Sequence, residues 1–283
     1  MPELPEVETI RRQIEPAVVG RRVVDAGSHP SEKFRPARAL VGAAFTGARR
    51  RGKFLLFPTD DHRELVVHLG MTGSLAVRSG ADGGRNTPGP ADPHLRAWWI
   101  LGDPAGGAPP ARPERLDFRD IRRFGRIRVV PLGDHGSIPG LVTMGPEPFD
   151  PGLDAARFHR LLRRSRRRIK TQLLSQRPIA GVGNIYADEA LWLARINPNA
   201  TRLSEHRAGV LLDALRTVLA RGLDNGGTTL RDYRDAKGNQ GANQHGLAAY
   251  GRKGLPCVRC ATEMRSATID TRTTTWCPHC QRH

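Results

Sequence analysis

Met1-Pro2-Glu3-Leu4-Pro5-Glu6-Val7-Glu8 opens the chain, and two properties coexist in it. As a helix start it is well made: Pro5 suits a first turn, and acidic residues complement the positive end of the helix dipole. Val7, Ile10 and Ile14 follow at helical spacing and should face a core, while Pro16 should kink or end the helix. The second property is chemical. With Met1 trimmed, Pro2 becomes the N-terminus and its secondary amine a nucleophile. An α-amino group has a pKa near about 8, against about 10.4 for lysine, so roughly a tenth of it is unprotonated at pH 7. Such an amine can attack a sugar or carbonyl carbon in Schiff-base fashion, and the iminium it forms is a fixed cation. Glu3, Glu6 and Glu8 crowd the same stretch. Helix start and nucleophile are compatible readings.

The rest of the chain says what such an amine would act on. Its 283 residues are too many for one small core and suggest two or more domains. Lys and Arg number 45 against 28 Asp and Glu, a formal charge of +17, which argues for a polyanionic partner. There is no secretory-type apolar run at the start and no stretch long enough to span a membrane, so a cytoplasmic protein is expected.

After the first helix, short β-rich runs follow: Arg22-Val23-Val24, Lys53 to Phe57, Leu65 to His68, Leu75-Ala76-Val77, Ala97 to Leu101 and Ile127 to Val130. They predict a β-sandwich with the N-terminal helix packed on it. Two Gly/Pro/Ala-rich stretches, 79–93 and 102–114, read as exposed loops. A Pro/Gly-rich hinge follows, then helical periodicity over 152–222. The expected fold is α+β and multidomain. Residues 1–135 form the N-terminal catalytic β-sandwich domain, 136–151 a hinge, 152–250 a helical domain, and 251–283 a small separate unit.

That last unit is the most specific feature. Cys257-x-x-Cys260 and Cys277-x-x-Cys280 lie sixteen residues apart. Each pair chelates from one tight turn, and the two together complete a tetrahedral thiolate site for one structural zinc ion. About thirty residues hold too little core to fold alone, so metal binding would supply the stability. His279 and His283 sit in the same tail, but the four thiolates already fill a tetrahedron.

Basic residues cluster too. Residues 157–170, RFHRLLRRSRRRIK, hold eight Lys or Arg and no acid, over an apolar stripe of Leu161, Leu162 and Ile169. A basic face on a rigid element suits phosphate contacts, which give affinity without sequence preference. Gly181-Val182-Gly183-Asn184 is a tight turn into a helix, where backbone and side-chain donors can hold a phosphate or simply cap the helix.

Taken in order, MPELPEVETIRR, GKFLLF (52–57), HLGMTGSL (68–75), DIRRFG (120–125), GVGNIYADEALW (181–192) and the four cysteines resemble the formamidopyrimidine-DNA glycosylase family nearly end to end, least across 79–117. The resemblance implies a helix–two-turns–helix module over the helical region and a zinc-finger hairpin at the end. It implies a monomeric, bacterial, nucleoid-associated base-excision repair enzyme acting on duplex DNA with an oxidised base or abasic site. Its activities would be those of a DNA glycosylase and abasic-site lyase. Pro2 would be the nucleophile and Glu3 the general acid. Lys53 would act beside the lesion and in β-elimination. Arg272 would grip the phosphates flanking the lesion and serve δ-elimination. Met71, Arg122 and Phe124 would fill the hole left by an everted base, and Arg166, Asn184 and His94 would contact DNA. The opening PELPEVE resembles the branch acting on oxidised purines, 8-oxoguanine and formamidopyrimidines. Two departures weaken that assignment: 239–245 lacks the usual aromatic in the loop expected to cap the base, and Arg96 replaces a second histidine. Two other readings stand beside it, the same mechanism on oxidised pyrimidines and a non-catalytic zinc-ribbon DNA-binding protein.

Overall fold

The computed structural model describes residues 1–78, 92–103 and 114–282. Most of the two loops 79–93 and 102–114 lies outside the described residues. The chain forms two compact units: Met1–Pro139 with Gly226–Gly241, and Gly140–Asn225 with Ala242–His283. The sequence groups 226–241 with the helical region. In the structure its packing partners lie in the first unit, because Tyr233 and Ala236 sit against that unit's apolar core.

The first unit begins with helix α1 (Leu4–Val18), whose Leu4, Val7, Ile10, Ile14 and Val18 are buried. The helix does not stop at Pro16. That proline costs one amide donor in the last turn only, and Val19 N–H still closes on Glu15 O at 3.0 Å. Among the described residues eight strands follow: β1 (Arg22–Ser28), β2 (Arg49–Arg51), β3 (Phe54–Pro58), β4 (Arg63–His68), β5 (Gly73–Arg78), β6 (Leu95–Gly102), β7 (Glu114–Asp120) and β8 (Arg126–Pro131). They make two four-stranded antiparallel sheets, ordered β1-β6-β7-β5 and β2-β3-β4-β8. Val23, Leu75, Trp99, Leu116 and Phe118 of one sheet share a core with Leu55, Phe57, Leu65, Val67 and Ile127 of the other. The expected β-sandwich with its packed helix is therefore present. The sequence reading missed β2 and β7. β2 is Arg-Arg-Arg, and β7 carries only Leu116 and Phe118 among charges. Buried Asp117 is tolerated there because Arg115 binds it at 2.5 and 2.8 Å.

The second unit is helical. A single turn, α2 (Pro139–Val142), precedes α3 (Ala155–Arg163), α4 (Ile169–Leu174), α5 (Asn184–Leu193) and α6 (Glu205–Asp224). Asp154 caps α3 by accepting from Arg157 N–H at 2.6 Å, and Ser204 caps α6 by accepting from Arg207 N–H at 3.2 Å. Helices α5 and α6 cross at Gly222, where any Cβ would meet the Tyr186 ring at 2.4–2.8 Å. A hairpin, β9 (Arg265–Ile269) and β10 (Arg272–Trp276), completes the unit. Buried Lys170 fastens it: its Nζ donates to Asp188 at 2.6 Å and to Thr274 Oγ1 at 2.8 Å, while Asp188 accepts from Thr275 N–H at 3.0 Å. Burial raises the Asp188 carboxyl to about 6 against the pull of Lys170.

Candidate active site and nucleic-acid interface

The expected catalytic residues of the first unit lie at one end of α1 and on one hairpin. Pro2 is buried and precedes the N-cap, Glu3. Glu3 and Glu6 form a capping box, with Glu3 N–H donating to Glu6 Oε2 at 2.8 Å. The other Glu6 oxygen accepts from Thr228 N–H at 2.7 Å, so Glu6 ties α1 to the 226–241 segment. Tyr233 covers this contact from the far side, its hydroxyl donating to Gly226 O at 3.1 Å, and burial beside Glu6 raises its phenol. Glu8 is spent on arginines: Arg11 at 2.9 Å, Arg12 at 2.9 Å and Arg50 at 3.2 Å. Burial opposes ionisation of Glu8, but the bonds from Arg11 and Arg12 hold its carboxyl below the usual carboxylate range. Of the three acids crowding Pro2 in sequence, Glu6 and Glu8 therefore have structural duties.

Lys53 is in the turn between β2 and β3 rather than at a strand end. Arg51 pairs with Phe54, so Gly52 and Lys53 are the whole two-residue loop, and Gly52 takes φ +56°. Lys53 is buried. Arg50 bridges this turn to the helix, donating to Gly52 O at 2.9 Å while bonding Glu8. Beside Lys53, burial first and the lysine's charge second push the His68 imidazole down to about 4. A neutral ring fits its surroundings, because His68 Nδ1 accepts from Gly70 N–H at 3.1 Å.

Met71, Arg122 and Phe124 stand on two neighbouring loops of the same unit. Met71 is 37% exposed and Phe124 48%, and the Arg122 guanidinium lies 4.8 Å from the Phe124 ring centroid. Pattern alone reads Met71 and Phe124 as ordinary core residues, and their exposure removes that reading. His94 is half-buried, with a buried Nδ1 that has no partner among the described residues. It lines a cavity of about 460 Å³ together with Thr72, Arg119, Ile121, Asp235 and Lys237. Arg96, which stands where the resemblance has a second histidine, is buried and structural: it donates to Asp120 O at 2.7 Å and Pro93 O at 2.9 Å.

The second unit carries Arg166, Asn184 and Arg272. The arginine run divides between two cavities on either side of one turn. Arg163 and Arg166 line one of about 340 Å³ with Arg202, and Arg164 and Arg167 line another of about 680 Å³ with Arg177. Asn184 is the first residue of α5, and Gly183 holds the N-cap position. Its Nδ2 donates to Thr273 O at 3.0 Å, which leaves one amide hydrogen for a ligand. Arg272 is exposed at the start of β10, next to a two-residue turn in which Asp270 and Thr271 both have positive φ. Buried Glu189 of α5 accepts from the amides of Ala248, Ala249 and Tyr250 at 2.8–3.0 Å and so holds that loop against the helix.

Cys257, Cys260, Cys277 and Cys280 bring their sulfurs within 4.8 Å of one another. Sulfurs on a tetrahedral zinc lie about 3.8 Å apart, given zinc–sulfur bonds of about 2.3 Å. The Cys260–Cys277 and Cys260–Cys280 separations of 3.5 and 3.4 Å fit that, and Trp192 Nε1–H and Cys280 N–H already point at sulfur. Among the described residues no other group of His, Cys, Asp or Glu gathers in this way.

Helix-capped sandwich, helical module and thiolate hairpin together define a DNA-repair glycosylase architecture, and comparison with known proteins agrees. Residues 1–127 match the formamidopyrimidine-DNA glycosylase N-terminal domain, 144–234 its H2TH domain, and 254–282 the zinc finger found in FPG and IleRS. A formamidopyrimidine-DNA glycosylase of Deinococcus radiodurans is 40% identical over 294 residues, covering 99% of this chain and 97% of its own. The crystal structure of MutM (FPG) from Thermus thermophilus superimposes with a TM-score of 0.86 at 41% identity, over 99% and 98% of the two chains. A MutM in complex with carbocyclic 8-oxo-G-containing DNA gives 0.83 at 32% identity over the whole of both chains. The chain belongs to the formamidopyrimidine-DNA glycosylase family. It is a DNA glycosylase of base-excision repair, with one structural zinc site in its C-terminal hairpin. No helix among the described residues is long and apolar enough to cross a membrane.

Proposed function

We propose that this enzyme excises oxidised purines, 8-oxoguanine and formamidopyrimidines, from duplex DNA and then cuts the strand at the resulting site. The observation that carries the proposal is the Pro2-Glu3 pair at the buried head of α1, with Lys53 on a turn braced to the same helix through Arg50 and Glu8. A protein that only bound DNA would need none of these. The 8-oxo-G held by a solved relative supports the purine branch.

In this reading the lone pair of the Pro2 nitrogen attacks C1′ of the damaged nucleoside. Glu3 delivers a proton to the sugar ring oxygen or the departing base. The base leaves with the glycosidic electron pair, the nitrogen sheds its proton, and the C1′–O4′ bond breaks as the ring oxygen takes up a proton, so an iminium joins nitrogen to the opened sugar. That cation acidifies the C2′ proton. Its removal, assisted by Lys53, expels the 3′-phosphate, and a second elimination expels the 5′-phosphate with Arg272 holding the phosphates. Water then releases the sugar and restores the amine. Met71, Arg122 and Phe124 fill the space the everted base vacates. Arg166 and Asn184 hold backbone phosphates. The zinc fixes the hairpin and takes no part in the chemistry. The enzyme works as a monomer, in the cytoplasm at the nucleoid.

Borohydride should trap a covalent protein–DNA adduct on a duplex with one 8-oxoguanine opposite cytosine, and more of it than on the same duplex with thymine glycol. Preference for thymine glycol would move the enzyme to the pyrimidine branch; no adduct on either would remove the amine mechanism. Arg166→Ala should weaken binding to lesion and plain duplex alike, and lower the slope of log K against log salt by about 0.9. Loss confined to lesion DNA would contradict a phosphate role.

A further inference from the structure

The three residues assigned to the vacated space share a difficulty. Exposed side chains on loops are ordinarily mobile, yet a wedge must hold its shape while a base pair opens. The structure shows what stiffens them. Asp120, fully buried at the end of β7, uses its two carboxylate oxygens on two different loops. Oδ1 accepts from Thr72 Oγ1 at 2.6 Å, and Oδ2 accepts from Gly125 N–H at 2.7 Å. Thr72 in turn accepts from Arg122 N–H at 3.0 Å. One carboxylate and one hydroxyl therefore join the residue after Met71, the backbone of Arg122 and the residue after Phe124. The loops are already in backbone contact. A Cβ on Gly70 would lie 2.5 Å from the Phe124 carbonyl carbon and from Gly125 N, and Gly70 takes φ +66°. From behind, Arg96 donates to Asp120 O at 2.7 Å, and Asp120 N–H donates to His94 O at 2.9 Å.

We propose that Thr72 and Asp120 are positioning residues: their hydrogen-bonded staple presents Met71, Arg122 and Phe124 as one rigid wedge, and so sets the rate of base eversion. The inference rests on the wedge role given above to those three side chains. Thr72 reaches Asp120 and the Arg122 backbone through its hydroxyl, so the hydroxyl is the part to remove. Arg96, where a second family histidine is expected, belongs to the same frame, since it anchors the Asp120 carbonyl.

The test compares Thr72→Val, Thr72→Ser and Met71→Ala in the full-length enzyme. Single-turnover excision is measured on a duplex with 8-oxoguanine opposite cytosine, together with the dissociation constant and melting temperature. Thr72→Val should slow excision about tenfold, the scale of losing a buried hydrogen bond at the rate-setting step, with the dissociation constant changed less than about twofold. Thr72→Ser, which keeps the hydroxyl, should recover most of the rate. Melting temperatures should stay together, a combination that loss of fold would not give. If Thr72→Val is too unstable to measure, Asp120→Asn replaces it, since one acceptor oxygen becomes a donor at unchanged shape. A wild-type rate in Thr72→Val, with Met71→Ala slow, would overturn the staple and leave the wedge standing. Equal slowing in Val and Ser variants would also overturn it. A wild-type rate in Met71→Ala would remove the wedge role and the inference with it.

Discussion

An uncleaved tag ahead of Pro2 should abolish both activities while leaving DNA binding within a few-fold of the native value. The tag turns the Pro2 nitrogen into an amide, whose lone pair is delocalised and no longer nucleophilic. Nothing else in the chain changes, so the arginines and the zinc hairpin still hold the duplex. Base excision and strand cleavage should fall by about a thousandfold or more, the scale seen when a covalent nucleophile is removed. The borohydride-trapped adduct should vanish, and protease removal of the tag up to Pro2 should restore all three. Glu3 is a less clean target, because it caps α1 as well as being the proposed general acid. Tagged enzyme that cuts lesion DNA at the native rate would end the amine mechanism, since no other group would then have been blocked.

Loss of the zinc site should be the second large effect, and it should strike binding rather than chemistry. The apolar cluster around the thiolates consists of Ala249, Cys257, Met264 and Cys277, with Trp192 packed on it. Two of those four buried residues are the ligands themselves, so little core remains without metal. Structural zinc contributes roughly 10–16 kcal/mol to comparable small modules. Elemental analysis should find one zinc per chain, lost in Cys277→Ser. That variant should bind DNA at least about tenfold more weakly, since Arg272 stands on the hairpin the metal organises. Lys170 and Asp188 would still hold one end of the hairpin, so α3 to α6 should keep their helical circular dichroism. Full affinity with zinc absent would show that the hairpin folds on packing alone.

These two effects differ in how they could be read. The cysteine spacing specifies its own geometry, because each CxxC must close one turn on a metal, and the sulfurs lie where the spacing puts them. The opening PELPEVE is similarly explicit, since the amine proposed as nucleophile is a property of being first. α1 and α3 to α6 were legible from periodicity, and six strands from β-branched and aromatic runs. β2 and β7 were not, because arginines and an acid fill positions that only cross-strand partners make acceptable.

The duties of polar side chains were the least legible. Glu3, Glu6 and Glu8 look alike in the sequence, yet Glu6 is held by two backbone amides and Glu8 by three arginines. Arg96 read as a lost histidine and proved to be a buried strut. Asp120 read as the first letter of a DNA-contacting motif and proved to join two loops distant in sequence, through Thr72 and Gly125. The sequence by itself determined the parts list: an N-terminal amine, a basic helical module, a thiolate quartet and a sandwich to carry them. Those follow from spacing along the chain, which is local. Which carboxylate braces which loop was decided by the tertiary structure alone, because a charge takes its role from whatever donors the fold brings to it.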